Sequence, residues 1–246
     1  MKTTNNTVLI TGGSAGIGFE IARLLTERGD HVIITGRDAK RLENAAAKLR
    51  NVTPIVFDVT DGQSVDSLVA RVKKDFPTLN VLINNAGHAL LYSMEDDSQA
   101  FEKAADEIHT NYISIIRLTE KLLPILKTQK ESAIVNVTSI VAFAPTIALA
   151  GYSATKAALH SYTQTLRLAL ASTPVKVFEL MPPLVNTDFS QAIGGAAGIP
   201  PSQVAQDLVN AFDNDTYEIH VGATADIYAL SRKSPAEALV AMNSRG

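Results

Sequence analysis

Along this chain, short apolar runs alternate with longer stretches whose apolar residues return every three or four positions. The first runs are Val8 to Thr11 and His31 to Thr35, and the stretches after them are Gly18 to Arg28 and Ala39 to Arg50. Short runs rich in β-branched residues read as strands, and the 3.6-residue period reads as helix. Further runs at Ile55 to Phe57, Val81 to Asn84, Ala133 to Thr138, Val175 to Leu180 and Glu218 to Val221 each follow a segment of helical pattern. Strands apolar on both faces belong to a parallel sheet covered on both sides, with right-handed crossovers. The expected fold class is α/β: a single doubly wound Rossmann domain whose seven-stranded, mostly parallel sheet is flanked by helices on both faces.

No linker, repeat or low-complexity block interrupts the alternation, so residues 1–246 are expected to form one domain. Gln191 to Pro201 is rich in glycine, alanine and proline. The segment of about 188–202 reads as a mobile loop, either a lid over a ligand crevice or a plain surface loop. The tail, about 231–246, has an apolar helical stretch from Ala236 to Met242 that would cover the pocket or a partner subunit.

Composition narrows the classes. With 246 residues, 46% hydrophobic and 19% charged, the chain can bury a full core. A formal net charge of −3 with scattered charges gives no basic footprint, so neither nucleic acid nor a membrane surface is an expected partner. Cysteine is absent, which excludes disulfides and thiolate zinc sites and fits a reducing compartment. Met1 to Thr7 is polar and runs straight into Val8, unlike a secretion signal, and no window approaches the ~20 apolar residues of a membrane span. The expected location is the cytoplasm.

Candidate chemistry starts after the first strand, in Thr11-Gly12-Gly13-Ser14-Ala15-Gly16-Ile17-Gly18. Glycines at a strand-to-helix turn let the backbone approach a pyrophosphate, whose charge the helix N-terminus favours. The spacing is G-x-x-x-G-x-G, not G-x-G-x-x-G, yet its station inside a βαβ unit is the required one. Gly12, Ser14, Ala15, Gly16, Ile17 and Gly18 are the candidate cofactor-binding residues. At the second strand's end, Thr35-Gly36-Arg37-Asp38 offers Arg37 as a fork for a 2′-phosphate and Asp38 as a rival for a ribose hydroxyl. Arg37 makes NADP the expected cofactor and NAD the less favoured one.

Tyr152 and Lys156 stand four residues apart, on one helix face. A lysine cation near a phenol favours the phenolate and draws its pKa toward neutrality, making tyrosine a usable acid or base. Ser139 lies at the carboxyl end of the fifth apolar run, where a hydroxyl reaches a crevice ligand. Thr138 beside it must point the other way, into packing. Asn111 sits among Ile108, Tyr112, Ile115 and Leu118 on a buried helix face, where an amide needs partners. His31, His109, His160 and His220 show no metal-ligand spacing, Glu95-Asp96-Asp97 reads as a solvated helix start, and no metal is expected. Leu90, Leu91, Tyr92, Phe143, Ile147, Phe189 and Ile193, near strand ends, suggest an apolar substrate pocket, and His88 is a minor candidate for contacting the substrate.

Taken together these motifs resemble the short-chain dehydrogenase/reductase family, from Asn6 to about Gly222. Thr11 to Gly18 is similar to its T-G-x-x-x-G-x-G, Asn84-Asn85-Ala86-Gly87 to its N-N-A-G, and Tyr152 to Lys156 to its Y-x-x-x-K; Ser139 stands thirteen residues ahead of the tyrosine, as the family serine does. The resemblance implies that Tyr152 is the acid in reduction, Ser139 holds the substrate oxygen, Lys156 bonds the nicotinamide ribose, and Asn111 holds a water through its backbone. It also implies that Asp58 and Val59 contact the adenine, Asn85 lines the cofactor groove, and Val185 and Thr187 bond the carboxamide. Pro182-Pro183 departs from the family's Pro-Gly, and Pro183 removes a backbone donor. That turn resembles a bacterial subgroup of oxidoreductases.

The expected function is NADP(H)-dependent hydride transfer between nicotinamide and a small-molecule carbonyl or secondary alcohol of apolar character. A non-catalytic NADP-binding sensor of the same fold is the alternative, and a sugar-nucleotide epimerase would want a larger C-terminal domain. Ala154, Ala157, Ala158 and Ala169 form a small-residue face suited either to packing within the chain or, as the resemblance implies, to a homodimer or homotetramer.

Overall fold

The computed structural model describes residues 4–92 and 98–244. Among them the strands are β1 (Thr7–Ile10), β2 (His31–Gly36), β3 (Val52–Val56), β4 (Leu79–Asn84), β5 (Ser132–Val137), β6 (Val175–Met181) and β7 (Glu218–His220). They form one sheet in the order β3-β2-β1-β4-β5-β6-β7, and every neighbouring pair is parallel. The helices are α1 (Gly16–Glu27), α2 (Ala39–Ala46), α3 (Gly62–Asp75), α4 (Ala100–Ile108), α5 (Ser114–Thr128), α6 (Ala150–Ala169), α7 (Pro201–Asn214), α8 (Thr224–Lys233) and α9 (Pro235–Asn243). The chain steps outward from β1 to β3, then crosses back to β4. The crevice of such a sheet opens between those two central strands, at their carboxyl ends.

Side chains alternate across the sheet with a period of two, so β1 feeds two cores. Val8 and Ile10 pack with Ile21 and Leu25 of α1 and Leu208 and Phe212 of α7. Leu9 faces the other way, against Leu68 and Val72 of α3 and Leu118 and Leu122 of α5. Fully burying each such side chain stabilises the fold by about 1.5–3 kcal/mol. Carboxylates cap two helices: Asp38 accepts from Arg41 N at 2.9 Å and Asp61 from Gln63 N at 3.0 Å.

Two helices differ from the periodicity. The segment from Ala39 leaves α2 at Ala46 for tight turns, and Asn51 then takes φ of 52°. The segment around Asn111 is not one regular helix, because a π-helical turn, His109–Ile113, joins α4 to α5. Single π turns inside helices recur at functional sites.

The segment after β6 carries local structure. It forms 3₁₀ turns at Asp188–Ile193 and Gly195–Ala197, Val185 bridges Ile199, and the Ser190 hydroxyl donates to the Val185 carbonyl. At the tail, α9 reaches back: the Asn243 amide donates to Pro145 O at 2.9 Å and accepts from Ile147 N at 2.8 Å. No helix among the described residues is long and apolar enough to cross a membrane.

Candidate active site

The glycine turn is built by its neighbours as much as by itself. Gly12 and Gly16 take φ of 67° and 55°, which side chains resist. A Cβ on Gly18 would collide with the Gly12 carbonyl and the Asn85 amide. The Thr11 hydroxyl accepts from Asn85 N and Ala86 N at 3.0 Å each, while the Asn85 amide donates to Thr11 O at 2.9 Å and Gly12 O at 3.0 Å. Asn85 therefore braces the turn from the end of β4. Ile17 packs its side chain into the core, leaving only its backbone toward the turn.

Ala15 occupies the N-cap of α1 with no side-chain cap, and no acid stands in the first turn. Uncapped N–H groups at the positive end of a helix suit an anion. They open on a groove of about 570 Å³ lined by Ser14, Ala15, Gly16, Lys40, Arg41 and Thr187 among others. A Cβ on Gly16 would lie 3.1 Å from the Thr187 methyl, so Thr187 forms the opposite wall. A phosphate-bearing cofactor fits this cradle.

At the end of β2, Gly36 faces Ser14, Arg37 is exposed, and the Asp38 carboxylate is committed to capping α2. Arg41 crosses the groove to pair with Asp188 at 2.5 Å. Asp58 accepts from Thr60 N at 2.9 Å and from the Thr60 hydroxyl at 2.7 Å. Burial alone would raise its pKa, but those bonds and the charges of Arg37 and His109 outweigh it and hold the carboxyl below the usual range. Val59 packs against the second core.

Ser139, Tyr152 and Lys156 converge. Ser139 lies just beyond β5 and caps a 3₁₀ turn, accepting from Val141 N at 3.3 Å. Its hydroxyl also hydrogen-bonds the Tyr152 phenol, which α6 presents from its first turn. The Phe189 ring leans over Tyr152 with centroids 5.9 Å apart. One turn further on, the Lys156 ammonium sits 5.4 Å from the phenol ring centre and donates to the Val137 carbonyl at 2.7 Å.

The electrostatics correct one sequence-based expectation. The Tyr152 phenol is pushed up from its ordinary pKa: burial dominates, Glu107 adds to it, and the Ser139 bond offsets only part. The Lys156 ammonium, for its part, donates to the Val137 backbone carbonyl. Burial in turn lowers Lys156 to about 8, against an opposing pull from Glu179.

The Asn111 amide, fully buried, accepts from His88 N and donates to His88 O at 2.7 Å each, and donates to the Thr155 hydroxyl at 3.1 Å. Gly87 fills the gap between Asn111 and Lys156: a Cβ there would stand 3.4 Å from Asn111 Oδ1 and 3.9 Å from Lys156 Nζ. His88 pairs with Asp106 at 3.2 Å. Thr138 does more than pack, because its hydroxyl donates to Glu179 Oε1 at 2.7 Å. Phe143 turns from the proposed pocket into a cluster with His160, His220 and Tyr228. Among the described residues, no group of three metal-ligating side chains gathers; Glu95-Asp96-Asp97 lies outside them.

Two buried acids near this site escaped the sequence reading. Glu107 accepts from Leu90 N at 2.8 Å, while its Oε2 is buried against Gly151, where a Cβ would overlap it, with no hydrogen-bond partner among the described residues. Glu179 lies inside β6, fully buried. Its signal was present: an acid between Phe178 and Leu180 in a strand apolar on both faces.

Glycine cradle, switch-point crevice and the Ser139-Tyr152-Lys156 cluster together define a nucleotide-binding α/β oxidoreductase. Residues 6–197 match the short chain dehydrogenase family model, and the chain belongs to that family. An uncharacterized oxidoreductase, DltE of Bacillus subtilis, is 45% identical over 191 residues, 78% of this chain and 76% of that one. A short chain dehydrogenase from Burkholderia cenocepacia, solved in complex with NADP, is 26% identical with a TM-score of 0.86 over 98% of both chains. A Burkholderia phymatum short chain dehydrogenase/reductase in complex with NAD shares the fold, with a TM-score of 0.85 at 20% identity, covering 100% of this chain and 98% of that one.

Proposed function

We propose that the chain transfers hydride between NADP(H) and a carbonyl or secondary alcohol, with Tyr152 as general acid and base. The observation that carries this is the convergence of Ser139, Tyr152 and Lys156 beyond β5, beside an uncapped helix N-terminus. When bound, the nicotinamide supplies or takes the hydride. Ser139 holds the substrate oxygen by a hydrogen bond and Tyr152 delivers the proton to that oxygen. Burial favours a protonated phenol, which suits reduction. In this reading Lys156 bonds the nicotinamide ribose, Asp58 and Val59 meet the adenine, and Val185 and Thr187 meet the carboxamide.

NADP is favoured because Lys40 and Arg41 line the groove and Arg37 stands exposed at the end of β2, while Asp38, which also lines the groove, is engaged as a cap. Leu91 and Phe189, 43% and 48% exposed, give the substrate side an apolar character. On α6, Ala154, Ala157 and Ala169 are exposed beside Leu168 at 80%, which supports a homodimer or homotetramer. A cytoplasmic location completes this reading.

The test is oxidation of NADPH with a panel of ketones and aldehydes, and reduction of NADP with secondary alcohols. Tyr152→Phe should still bind NADPH, with turnover down by about 10²–10⁴. Near-normal turnover in that variant would refute the role of Tyr152, and binding without turnover across the panel would favour a sensor.

A further inference from the structure

The face of α6 that carries Tyr152 and Lys156 continues to His160, at the same four-residue step. His160 Nδ1 lies 2.9 and 3.0 Å from the two oxygens of Glu179. The same Glu179 takes the Thr138 hydroxyl at 2.7 Å, and Thr138 follows Val137, whose carbonyl receives the Lys156 ammonium. Both the histidine and the threonine that grip Glu179 are thus immediate neighbours of the proposed catalytic set. An acid wholly buried in a sheet is costly unless paired and hydrogen-bonded, and this one is both.

Resting on the proposed function above, we propose that Glu179, clamped by His160 and Thr138, is the buried counter-charge of Lys156 and so a positioning residue of the active site. Burial strips Lys156 of water and works against its charge, and Glu179 is the acid that opposes this. Tyr152 is the other titratable group beside Lys156, and Glu107 of α4 acts on Tyr152. His160 is held toward its charged form first by the Glu179 bond, with Glu218 of β7 assisting and Arg167 of α6 opposing. His220 of β7, held toward its neutral form by burial, also faces this group. Glu179 thus lies in direct hydrogen-bond contact with His160 while also acting on Lys156.

The direct test needs no cofactor. In protein labelled with ¹³C at lysine Cε, Lys156 should titrate near 8, assigned by its absence in Lys156→Met. In Glu179→Gln its midpoint should fall by roughly one pH unit. In His160→Gln, which keeps a hydrogen-bond donor and removes the positive charge, it should rise. In carbonyl reduction the alkaline limb of kcat/KM should move the same ways, downward for Glu179→Gln and upward for His160→Gln. A purely structural role would lower activity at every pH and leave the midpoints in place. An unmoved Lys156 midpoint in Glu179→Gln overturns the counter-charge even if Tyr152→Phe is dead; a shifted midpoint with Tyr152→Phe fully active keeps the counter-charge and removes the proposed function.

Discussion

Asn111 closes on the backbone of His88 from both sides, accepting from its N–H and donating to its C=O at 2.7 Å each. This clamp fixes the strand that leaves Gly87 over the Lys156 ammonium. Asn111→Ala leaves both backbone groups without the amide in a half-buried place. Each such group costs about 1–3 kcal/mol, so the variant should lose roughly 2–4 kcal/mol in denaturant unfolding. An unchanged midpoint would show that water replaces the amide at no cost.

The glycines of the two helix starts should behave in opposite ways. Gly18→Ala drives a methyl into the Gly12 carbonyl and should weaken NADPH binding at least about tenfold, measured by nucleotide fluorescence. Gly62→Ala, in the first turn of α3, meets nothing closer than Arg117 Nη1 at 3.7 Å and should stabilise the fold by about 0.5–1 kcal/mol.

Arg37 and Asp38 are adjacent yet should separate cleanly. Arg37→Ala should lower the preference for NADPH over NADH, read as the ratio of kcat/KM values. Asp38→Ala should leave that ratio unchanged and cost about 0.5–2 kcal/mol of stability, because the carboxylate caps α2.

Glu107 gives the pH dependence a definite sign. Burial raises its carboxyl above the ordinary 4.5, against opposing help from the Leu90 N–H. The folded protein therefore holds this proton more tightly than the unfolded chain. That stability is complete below the unfolded pKa and is lost as pH rises through the folded one. Glu107→Gln should accordingly gain in Tm relative to the parent chain as pH climbs from about 4 to 7. A Tm difference constant over that range would mean that Glu107 titrates as it does when unfolded.

Asn243 ties the tail to the stretch between Ser139 and Tyr152. Removing residues 235–246 should speed amide exchange at Ile147 at least about tenfold, measured by hydrogen–deuterium exchange. Unchanged exchange would mean that α9 contributes no restraint there.

Much of the architecture was legible because apolar runs report burial on both faces, as at Val8 to Ile10. The stations of the glycine turn, Ser139 and the Tyr152-Lys156 step were legible because a strand-to-helix turn, a strand's carboxyl end and a four-residue helix step each follow from local pattern. What escaped was set by tertiary neighbours. The π turn at His109–Ile113 leaves no mark in an apolar periodicity. The direction of the Lys156 hydrogen bond depends on a carbonyl from β5, and no local spacing reveals it. Glu107 follows Asp106 in a charged stretch and so reads as a solvated position, and only the fold shows both it and Glu179 wholly enclosed.

The brace between Thr11 and Asn85 spans 74 residues of chain. During synthesis, β1 and its glycine turn emerge well before the strand that locks them. Until β4 emerges and docks, the turn lacks both its central neighbour and the amide that holds its carbonyls. Parallel pairing of this kind pays loop-closure entropy before any contact rewards it, which slows folding. The nucleotide cradle is therefore a late product of assembly, and a nascent chain stalled before Asn85 would present an apolar strand with no cradle behind it.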